Sequence, residues 1–336
     1  MNRIQNRLAR LLIAALALLT VAACGDSSGP GEPDDPGVLL VPMGDWGYWP
    51  AELVWTRDGA DVVYVENGLN AVTVSTQIVR KLDASQTVGT FARASAGERI
   101  YFGAFVTPLP GSNDNFRISR VHPISGGTET VMTIYPGDHL AVSADERFVV
   151  VDTRLYDLQR GVRIDLPQGM PLGFSPDGTQ LLYRDVFAPP VLVSTADGSS
   201  RPLHSTISTS YTAHRWEGNS PQLVEANIDY GRHTVRFLER DGLTGVTRDI
   251  AQLSTTAFFL TANWSPDGRT LGSWVEQGSR TNLYVIRSGS APTIVANFTV
   301  RDGKGPDSPV FSPSGNSLAY FYYGDLRRSM YLKSGI

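Results

Sequence analysis

Cysteine is nearly absent from this sequence, because Cys24 is the only one among 336 residues. A lone cysteine cannot form a disulfide within its own chain, so none holds the fold together. Charge is also sparse: charged residues make up 18% of the chain and the formal net charge is −4. No basic stripe accompanies this mildly acidic composition, which argues against nucleic acid as a partner.

Recognisable catalytic motifs are absent as well. The sequence contains no GxSxG, no P-loop, no glycine-rich dinucleotide fingerprint and no HExxH. Five histidines are spread along the chain without metal-ligand spacing, at positions 122, 139, 204, 214 and 233. We interpret them as surface or packing residues, although ligands from distant segments could still assemble a metal site. The prediction is therefore a non-enzymatic protein without cofactor or metal.

The first 24 residues have the organisation of an export signal. Arg3, Arg7 and Arg10 form a positive region, residues 11–23 form an apolar run, and Ala22 and Ala23 directly precede Cys24. The run has the length of a signal-peptide core and is short for a membrane-spanning helix.

Residues 19–24, with the sequence LTVAAC, resemble the lipobox of bacterial lipoproteins. The resemblance implies a signal peptide over 1–23 and lipid attachment at Cys24, and acylation would also remove a free thiol. A plain secretory signal with an incidental cysteine is the alternative. Gly25 stands where enterobacterial inner-membrane lipoproteins carry Asp, so we expect a cell-envelope protein anchored to the outer membrane.

Residues 25–37 contain only Gly, Asp, Ser, Pro and Glu. Such a segment has nothing to bury, and we predict that 24–37 is the lipidated cysteine followed by a disordered tether. Residues 38–336 would then form one large domain. Apolar runs of four to six residues bounded by turn residues, such as 62–65, indicate many short strands and no convincing helix.

Three segments align as internal repeats: GFSPDGTQLLY from Gly173, NWSPDGRTLGSW from Asn263 and VFSPSGNSLAYF from Val310. Together with four weaker copies, they place the serine-equivalent position at 56, 95, 143, 175, 217, 265 and 312, with a mean interval near the roughly 40–45 residues of a four-stranded propeller blade. In Ser-Pro-Asp-Gly, proline presets φ for the first corner of a β-turn, aspartate binds nearby N–H groups and glycine accepts positive φ.

These repeats resemble the WD40-like PD40 repeats of TolB-type propellers. The resemblance implies an all-β fold, a β-propeller of four-stranded antiparallel blades, and it says little about function because propellers host many activities. Seven blades are our count; six would result if the segment around Trp216, or the short interval before Phe174, is not a full blade. We predict that the strand at 38–41 completes the last blade and closes the ring.

Aspartates 58, 145, 177 and 267 recur once per repeat at the turn, so we assign them a structural role. Aromatic and arginine side chains instead gather in the longer loops, which a propeller collects on its opposite face, and such residues dominate binding hot spots. The candidate binding face comprises Trp46, Trp49, Phe187, Tyr230, Arg232, Tyr322 and Arg327. The alternative is that these rings plug the channel or pack between blades.

The sequence thus predicts a monomeric, membrane-anchored scaffold of the bacterial cell envelope that binds a protein or an envelope polymer through its loops. The first alternative is a carbohydrate-binding or metal-dependent glycan-cleaving propeller, in which the aromatic loops stack on sugar rings. A small-ligand sensor that uses the central channel is the second alternative.

Overall fold

The computed structural model describes residues 35–45, 52–85, 87–94, 97–107, 113–184, 188–205, 211–256, 261–299, 306–307, 309–323 and 327–336. Within these ranges the chain forms seven four-stranded antiparallel sheets. Cys24 and the predicted signal peptide lie outside the described residues, as does the tether as far as residue 34. Residues Asp35–Ile336 form one compact unit.

Each sheet is one blade, and the strands of blades 1 to 6 follow one another in the sequence. Blade 1 contains β2 (Val54–Trp55), β3 (Asp61–Val65), β4 (Leu69–Thr73) and β5 (Val79–Asp83). Blade 2 contains β6 (Val88–Arg93), β7 (Ile100–Phe105), β8 (Phe116–His122) and β9 (Gly126–Ile134). Blade 3 contains β10 (Leu140–Val142), β11 (Phe148–Val151), β12 (Arg154–Asp157) and β13 (Val162–Asp165).

The second half of the ring repeats the pattern. Blade 4 contains β14 (Met170–Phe174), β15 (Gln180–Arg184), β16 (Val191–Ser194) and β17 (Ser200–Pro202). Blade 5 contains β18 (Tyr211–Glu217), β19 (Ser220–Asp229), β20 (Thr234–Asp241) and β21 (Thr247–Ser254). Blade 6 contains β22 (Thr261–Trp264), β23 (Thr270–Gln277), β24 (Arg280–Arg287) and β25 (Thr293–Thr299). Blade 7 contains β26 (Val310–Phe311), β27 (Ser317–Tyr323), β28 (Arg327–Ser334) and β1 (Val38–Asp45).

The seven-bladed propeller predicted from the repeats is confirmed. The segment around Trp216 is a full blade, and so is the short interval before Phe174. The first strand of each blade is the inner one: β6, β10 and β14 contact one another in turn, as do β18, β22, β26 and β2. The fourth strand of each blade is therefore at the outer rim.

The ring closes as predicted, since β1 is the outer strand of blade 7. It pairs with β28 from Val38 opposite Leu332 to Asp45 opposite Arg327. The two ends of the domain are thus joined in one sheet, and β1 covers the edge that β28 would otherwise expose.

The hydrophobic core is divided among the seven seams between neighbouring blades, with one cluster of buried side chains at each seam. The second strand of a blade supplies much of it, and all five residues of β3 are buried. Strands that are buried on both faces read as continuous apolar runs, which is why the sequence shows runs of Val and Leu rather than alternation.

The Ser-Pro-Asp-Gly turns owe their shape to a repeated set of hydrogen bonds. Ser175 Oγ donates to Asp177 Oδ1 at 2.6 Å, and Asp177 Oδ1 also accepts the backbone N–H of Thr179. Gly178 has φ +70°, and its N–H donates to the Ser175 carbonyl. The bonds to Ser175 and Thr179 outweigh partial burial and lower the pKa of Asp177 to about 2. The same bond from serine or threonine to aspartate occurs at 56–58, 143–145 and 265–267.

Candidate functional site

The strand order gives the propeller two different faces. Connections between first and second strands, and between third and fourth strands, lie on the turn face, which carries the turns at 175–180 and 265–270. Connections between second and third strands, and from one blade to the next, lie on the loop face, which carries residues 229–234 and 134–140. Antiparallel neighbours that repeat around a ring require this separation.

Tyr230 and Arg232 lie on the loop face, in the turn between β19 and β20. Asp229 Oδ1 accepts the backbone N–H groups of Gly231 and Arg232 at 3.0 Å each, which fixes the turn. Tyr230 is 58% exposed, and the Arg232 side chain is exposed with only a long ion pair, 3.6 Å, to Asp229. Both side chains are therefore presented to solvent on a rigid hairpin, as a recognition role requires.

Tyr322 and Arg327 also lie at the loop-face end of a hairpin, in blade 7. The half-buried Tyr322 ring stacks on Phe298 of blade 6, with centroids 4.2 Å apart and planes within 10°. It meets Tyr331 edge to face. Tyr322 thus contributes to packing between blades, and its part in binding stays a prediction. Arg327 begins β28, and only its backbone is described.

Trp46, Trp49 and Phe187 lie outside the described residues. Their predicted place in the binding face therefore stays a prediction, like the lipid attachment at Cys24. The strands that precede them in the sequence end on the loop face: β1 ends at Asp45, and β15 ends at Arg184.

A groove of about 550 Å³ opens on the loop face beside blade 3. Tyr135 is 61% exposed at its edge. The Arg154 guanidinium donates to the carbonyls of Tyr135 and Pro136 at 2.6 and 2.8 Å and lies 5.7 Å from the centroid of the Tyr135 ring. These bonds hold a cation and an aromatic ring together at a recess that opens to the surface, an arrangement that suits ligand binding.

His139 and Asp152 form a hydrogen-bonded pair in the same groove. Asp152 Oδ1 accepts the backbone N–H of His139 at 3.0 Å and lies 3.1 Å from its Nδ1. The bond to Asp152 raises the pKa of His139. Burial opposes ionisation of Asp152, but its bonds from His139 and from the Asp138 N–H outweigh burial and lower its pKa. Asp152 has a φ of +48°, and in this left-handed backbone conformation its carboxylate accepts the N–H groups of Asp138 and His139.

Glu52 is a further titratable group, whose charge interacts with that of His139 although Glu52 does not line the groove. Its Oε2 accepts the backbone N–H of Phe91 at 3.2 Å, which joins blade 1 to blade 2. Protein atoms crowd the carboxyl, although it keeps some solvent contact, and burial raises its pKa to about 7 despite the Phe91 N–H and the positive charge of His139. A carboxyl that titrates near neutrality can accept and donate protons at physiological pH.

The repeat register contains a signal for this cluster that motif searches miss. Glu52, Phe91 and His139 each stand four residues before the serine-equivalent position of their blade. Equivalent positions of adjacent inner strands lie at the same level of the ring, so Glu and His at this position in blades 1 and 3 flank the inner strand of blade 2. The other five blades carry Phe, Pro, Ala, Thr or Ser at this position, none of which titrates near neutrality, so the Glu and the His could have been singled out from sequence.

The remaining histidines do not join this cluster. His214 is crowded by blade 4, its Nε2 lies close to Gly173, and burial lowers its pKa to about 4. His122 lies 3.1 Å from Glu98 on the turn face. Within the described ranges, no three His, Cys, Asp or Glu side chains come together as a metal site.

A groove of about 590 Å³ lies on the turn face between blades 2 and 3. Its charged side chains bind one another: Arg120 pairs with Glu129 at 2.9 Å and lies 3.5 Å from Glu146. Tyr101 donates from its hydroxyl to Glu146 at 2.9 Å. This network joins two blades, and we assign it a structural role.

Comparison with known proteins gives structural neighbours only. The sequence matches no protein-family model, and the search of curated proteins found no match. An oligogalacturonate lyase in complex with manganese has a TM-score of 0.63 at 14% identity, covering 90% of this chain and 98% of that one. An oligogalacturonate lyase from Vibrio parahaemolyticus has a TM-score of 0.64 at 12% identity, covering 88% and 92%.

A chain of a mitotic checkpoint complex has a TM-score of 0.58 at 13% identity, covering 92% of this chain and 99% of its own length. Since a lyase and a checkpoint protein share the fold, these similarities establish the propeller and leave the function open. The described residues offer no ligand set for manganese, so we derive no metal-dependent step. Among them, no helix is long and apolar enough to cross a membrane.

Proposed function

We propose that this chain is a lipid-anchored binding protein of the bacterial cell envelope, and that its loop face recognises a protein or an envelope polymer. The lipobox-like segment that ends at Cys24 supports export and anchoring. The PD40-like repeats supply a rigid scaffold without a recognisable catalytic motif. Recognition by loops on a rigid scaffold is the usual division of labour in such folds.

The observation that carries the proposal is the placement of exposed aromatic side chains. Among the described residues, all three large aromatic side chains that are strongly exposed lie on the loop face: Phe105, Tyr135 and Tyr230. Tyr135 lies against Arg154, and Tyr230 lies two residues from Arg232. Tyrosine and arginine are the residue types that contribute most to binding hot spots.

The proposal is tested by photo-crosslinking in intact cells. A photoreactive amino acid replaces Tyr230 or Tyr135 on the loop face, or Val162 on the turn face, in the full-length chain. We expect specific adducts from positions 230 and 135 and none from 162, and we expect R232A to reduce the adduct at 230. Equal adducts from both faces, or none from the loop face, would overturn the proposal.

A second candidate function rests on the His139–Asp152 pair and on Glu52, whose charge interacts with that of His139. A carboxyl with a pKa near 7 and an imidazole fit acid–base chemistry on a polar substrate such as a glycan. In this reading Glu52 exchanges the proton, while Asp152 orients His139. The lyase neighbours agree with this candidate at the level of fold alone.

Incubation with purified envelope polysaccharides separates the two candidates. Release of new sugar ends that is lost in E52Q and H139N, while Y230A retains it, would favour the enzymatic function. Binding without product release, lost in Y230A and retained in E52Q, would favour the scaffold.

A further inference from the structure

Exposed aliphatic side chains mark the rim of the turn face. Eight large aliphatic side chains of the described residues are 42–68% exposed. Each lies in the first two residues of an outer strand or in the turn directly before it. They are Val38, Leu39, Ile78, Val79, Ile124, Val162, Val246 and Ile294. The exposed aromatic side chains lie on the loop face, so the two faces present different apolar surfaces.

Five of the eight lie on three consecutive blades, and we call them the rim patch: Ile294 of blade 6, Val38 and Leu39 of blade 7, and Ile78 and Val79 of blade 1. Hydrogen bonds hold these blades together at the rim. Gln77 Nε2 donates to the Leu39 carbonyl at 3.4 Å. Exposed aliphatic residues on neighbouring blades of one rim suit contact with another apolar phase.

The chain joins the propeller beside this patch. The Asp35 N–H donates to Asn297 Oδ1 at 3.3 Å, and the Asn297 N–H donates to the Asp35 carbonyl at 3.1 Å. Lys333 Nζ lies 2.7 Å from Asp35 Oδ2, and the Tyr320 hydroxyl donates to the Pro36 carbonyl. Blades 6 and 7 thus both hold Asp35 at the turn-face end of β1.

The distance from this point to the predicted lipid is short. Residues 24–34 separate Asp35 from the start of the mature chain, and eleven residues span at most ~40 Å when fully extended. The anchor therefore keeps the rim patch close to the membrane, whereas the loop-face hairpins lie on the opposite face of the propeller.

We propose that the rim patch rests on the lipid bilayer, so that the turn face is directed towards the membrane and the loop face away from it. This placement rests on the lipid anchor of the proposed function. Aliphatic side chains beside a lipid anchor add a second contact with the membrane, and stable attachment commonly uses two. Two cations near the patch are paired, Lys333 with Asp35 and Arg80 with Asp61 at 2.6 Å, which weakens their attraction to anionic lipids, so we expect the contact to vary little with salt.

Depth-dependent quenching tests the orientation. Because Cys24 is the only cysteine and is consumed by acylation, I78C or Y230C supplies one reactive thiol in the full-length lipidated protein. Each is labelled with an environment-sensitive dye and reconstituted into phosphatidylcholine–phosphatidylethanolamine vesicles that carry nitroxide lipids. We expect quenching at position 78 to exceed that at 230 at least threefold, with little change between low and high salt. Equal quenching, or stronger quenching at 230, would overturn the orientation.

A patch variant tests the contact itself. The triple variant I78S/V79S/I294S, labelled at Y230C, should show quenching at 230 that rises at least twofold, because the disc is no longer held in one orientation. The control variant V162S removes an exposed aliphatic side chain from blade 3, away from the patch on the same rim, and should leave quenching at 230 unchanged. No change in the triple variant would overturn the role of the patch.

Two further measurements separate this inference from the proposed function. An intact mass that shows an unmodified Cys24 would overturn the anchor and the orientation together, whereas an acylated chain with equal quenching would overturn the orientation alone. A dimer in sedimentation that the triple variant abolishes would assign the patch to a second copy of the chain and overturn the membrane contact.

Discussion

Leu39 and Leu40 are neighbours on β1 with opposite environments. Leu40 is 4% exposed and lies in the core cluster between blades 7 and 1, whereas Leu39 is 42% exposed at the rim. Leu40 shares this cluster with Trp55 of blade 1 and Leu332 of blade 7. The strand that closes the ring is thus held by packing on one side only, and the two leucines form a matched pair for measuring it.

The first prediction concerns this closure. L40A should lower the free energy of unfolding by about 2–4 kcal/mol, because it leaves a cavity at a buried seam. L39A should change it by less than about 0.5 kcal/mol, because the site is exposed. Urea denaturation measures both values. Equal losses in the two variants would contradict the structural role of β1.

The second prediction concerns a close contact within blade 2. A Cβ atom on Gly103 would lie 2.1 Å from Cε1 of the fully buried Phe116. We expect G103A to destabilise the protein by about 1–3 kcal/mol through overpacking. F116L should recover part of this loss in the double variant, with a coupling of at least about 0.5 kcal/mol. G231A is the control, since its only neighbour within 4 Å is Asp229 Oδ1 at 3.4 Å.

The repeat made most of this fold predictable from sequence. The position of the serine or threonine in each turn sets the start of every second strand, so the copies at Ser175 and Ser265 fixed the blade length. The free strand beginning at Val38 was predicted to close the ring, and it pairs with β28 of the last blade. Blade 5 forms although the turn near Trp216 departs from the motif, because β18 and β19 pair as a hairpin up to this turn.

The candidate site was less predictable, for a physical reason. Glu52, His139 and Asp152 come from two blades and are assembled by the ring, so no local spacing relates them. Tyr135 was missed because it follows an outer strand rather than a conspicuous loop. Tyr322 shows the reverse limitation, because an aromatic residue at a loop can be engaged by Phe298 of the next blade, which only tertiary packing reveals.

The third prediction concerns the seam between blades 4 and 5. Among the residues that the structure describes, four buried apolar residues form its cluster, namely Leu182, Leu192, Leu203 and Leu223, whereas each other seam has eight to twelve. Local opening is easiest where fewest apolar contacts are lost. Amides of β16 and β19 should therefore exchange with deuterium sooner than those of β3 and β7.

The matched variants for this seam are L223A and V63A. Both remove a fully buried side chain from a second strand. L223A should speed exchange in blades 4 and 5 and leave blades 1 and 2 unchanged, and V63A should do the opposite. Exchange that proceeds uniformly around the ring, before and after either substitution, would contradict a weak seam.

The last prediction follows from the titration of Glu52. Burial raises its pKa to about 7, above the ordinary value of 4.5, so the folded protein binds more protons than the unfolded chain between these pH values. The free energy of unfolding must then fall as pH rises through this range. His139 acts in the same direction, because its pKa is raised, and the stability it confers is present below pH 6.5 and lost as pH rises through its folded pKa.

E52Q should remove the larger part of this dependence. The amide oxygen can still accept the Phe91 N–H, so the variant should match the wild type at pH 5. At pH 8 the variant should be more stable than the wild type by about 1–2 kcal/mol. This is less than ~1.4 kcal/mol for every pKa unit between 4.5 and about 7 would give, because the carboxyl keeps some solvent contact. Urea denaturation at pH 5, 6, 7 and 8 measures the slope. E98Q removes a carboxylate from the turn face and should leave the slope unchanged, and an E52Q protein that keeps the wild-type slope would assign the pH dependence to other groups.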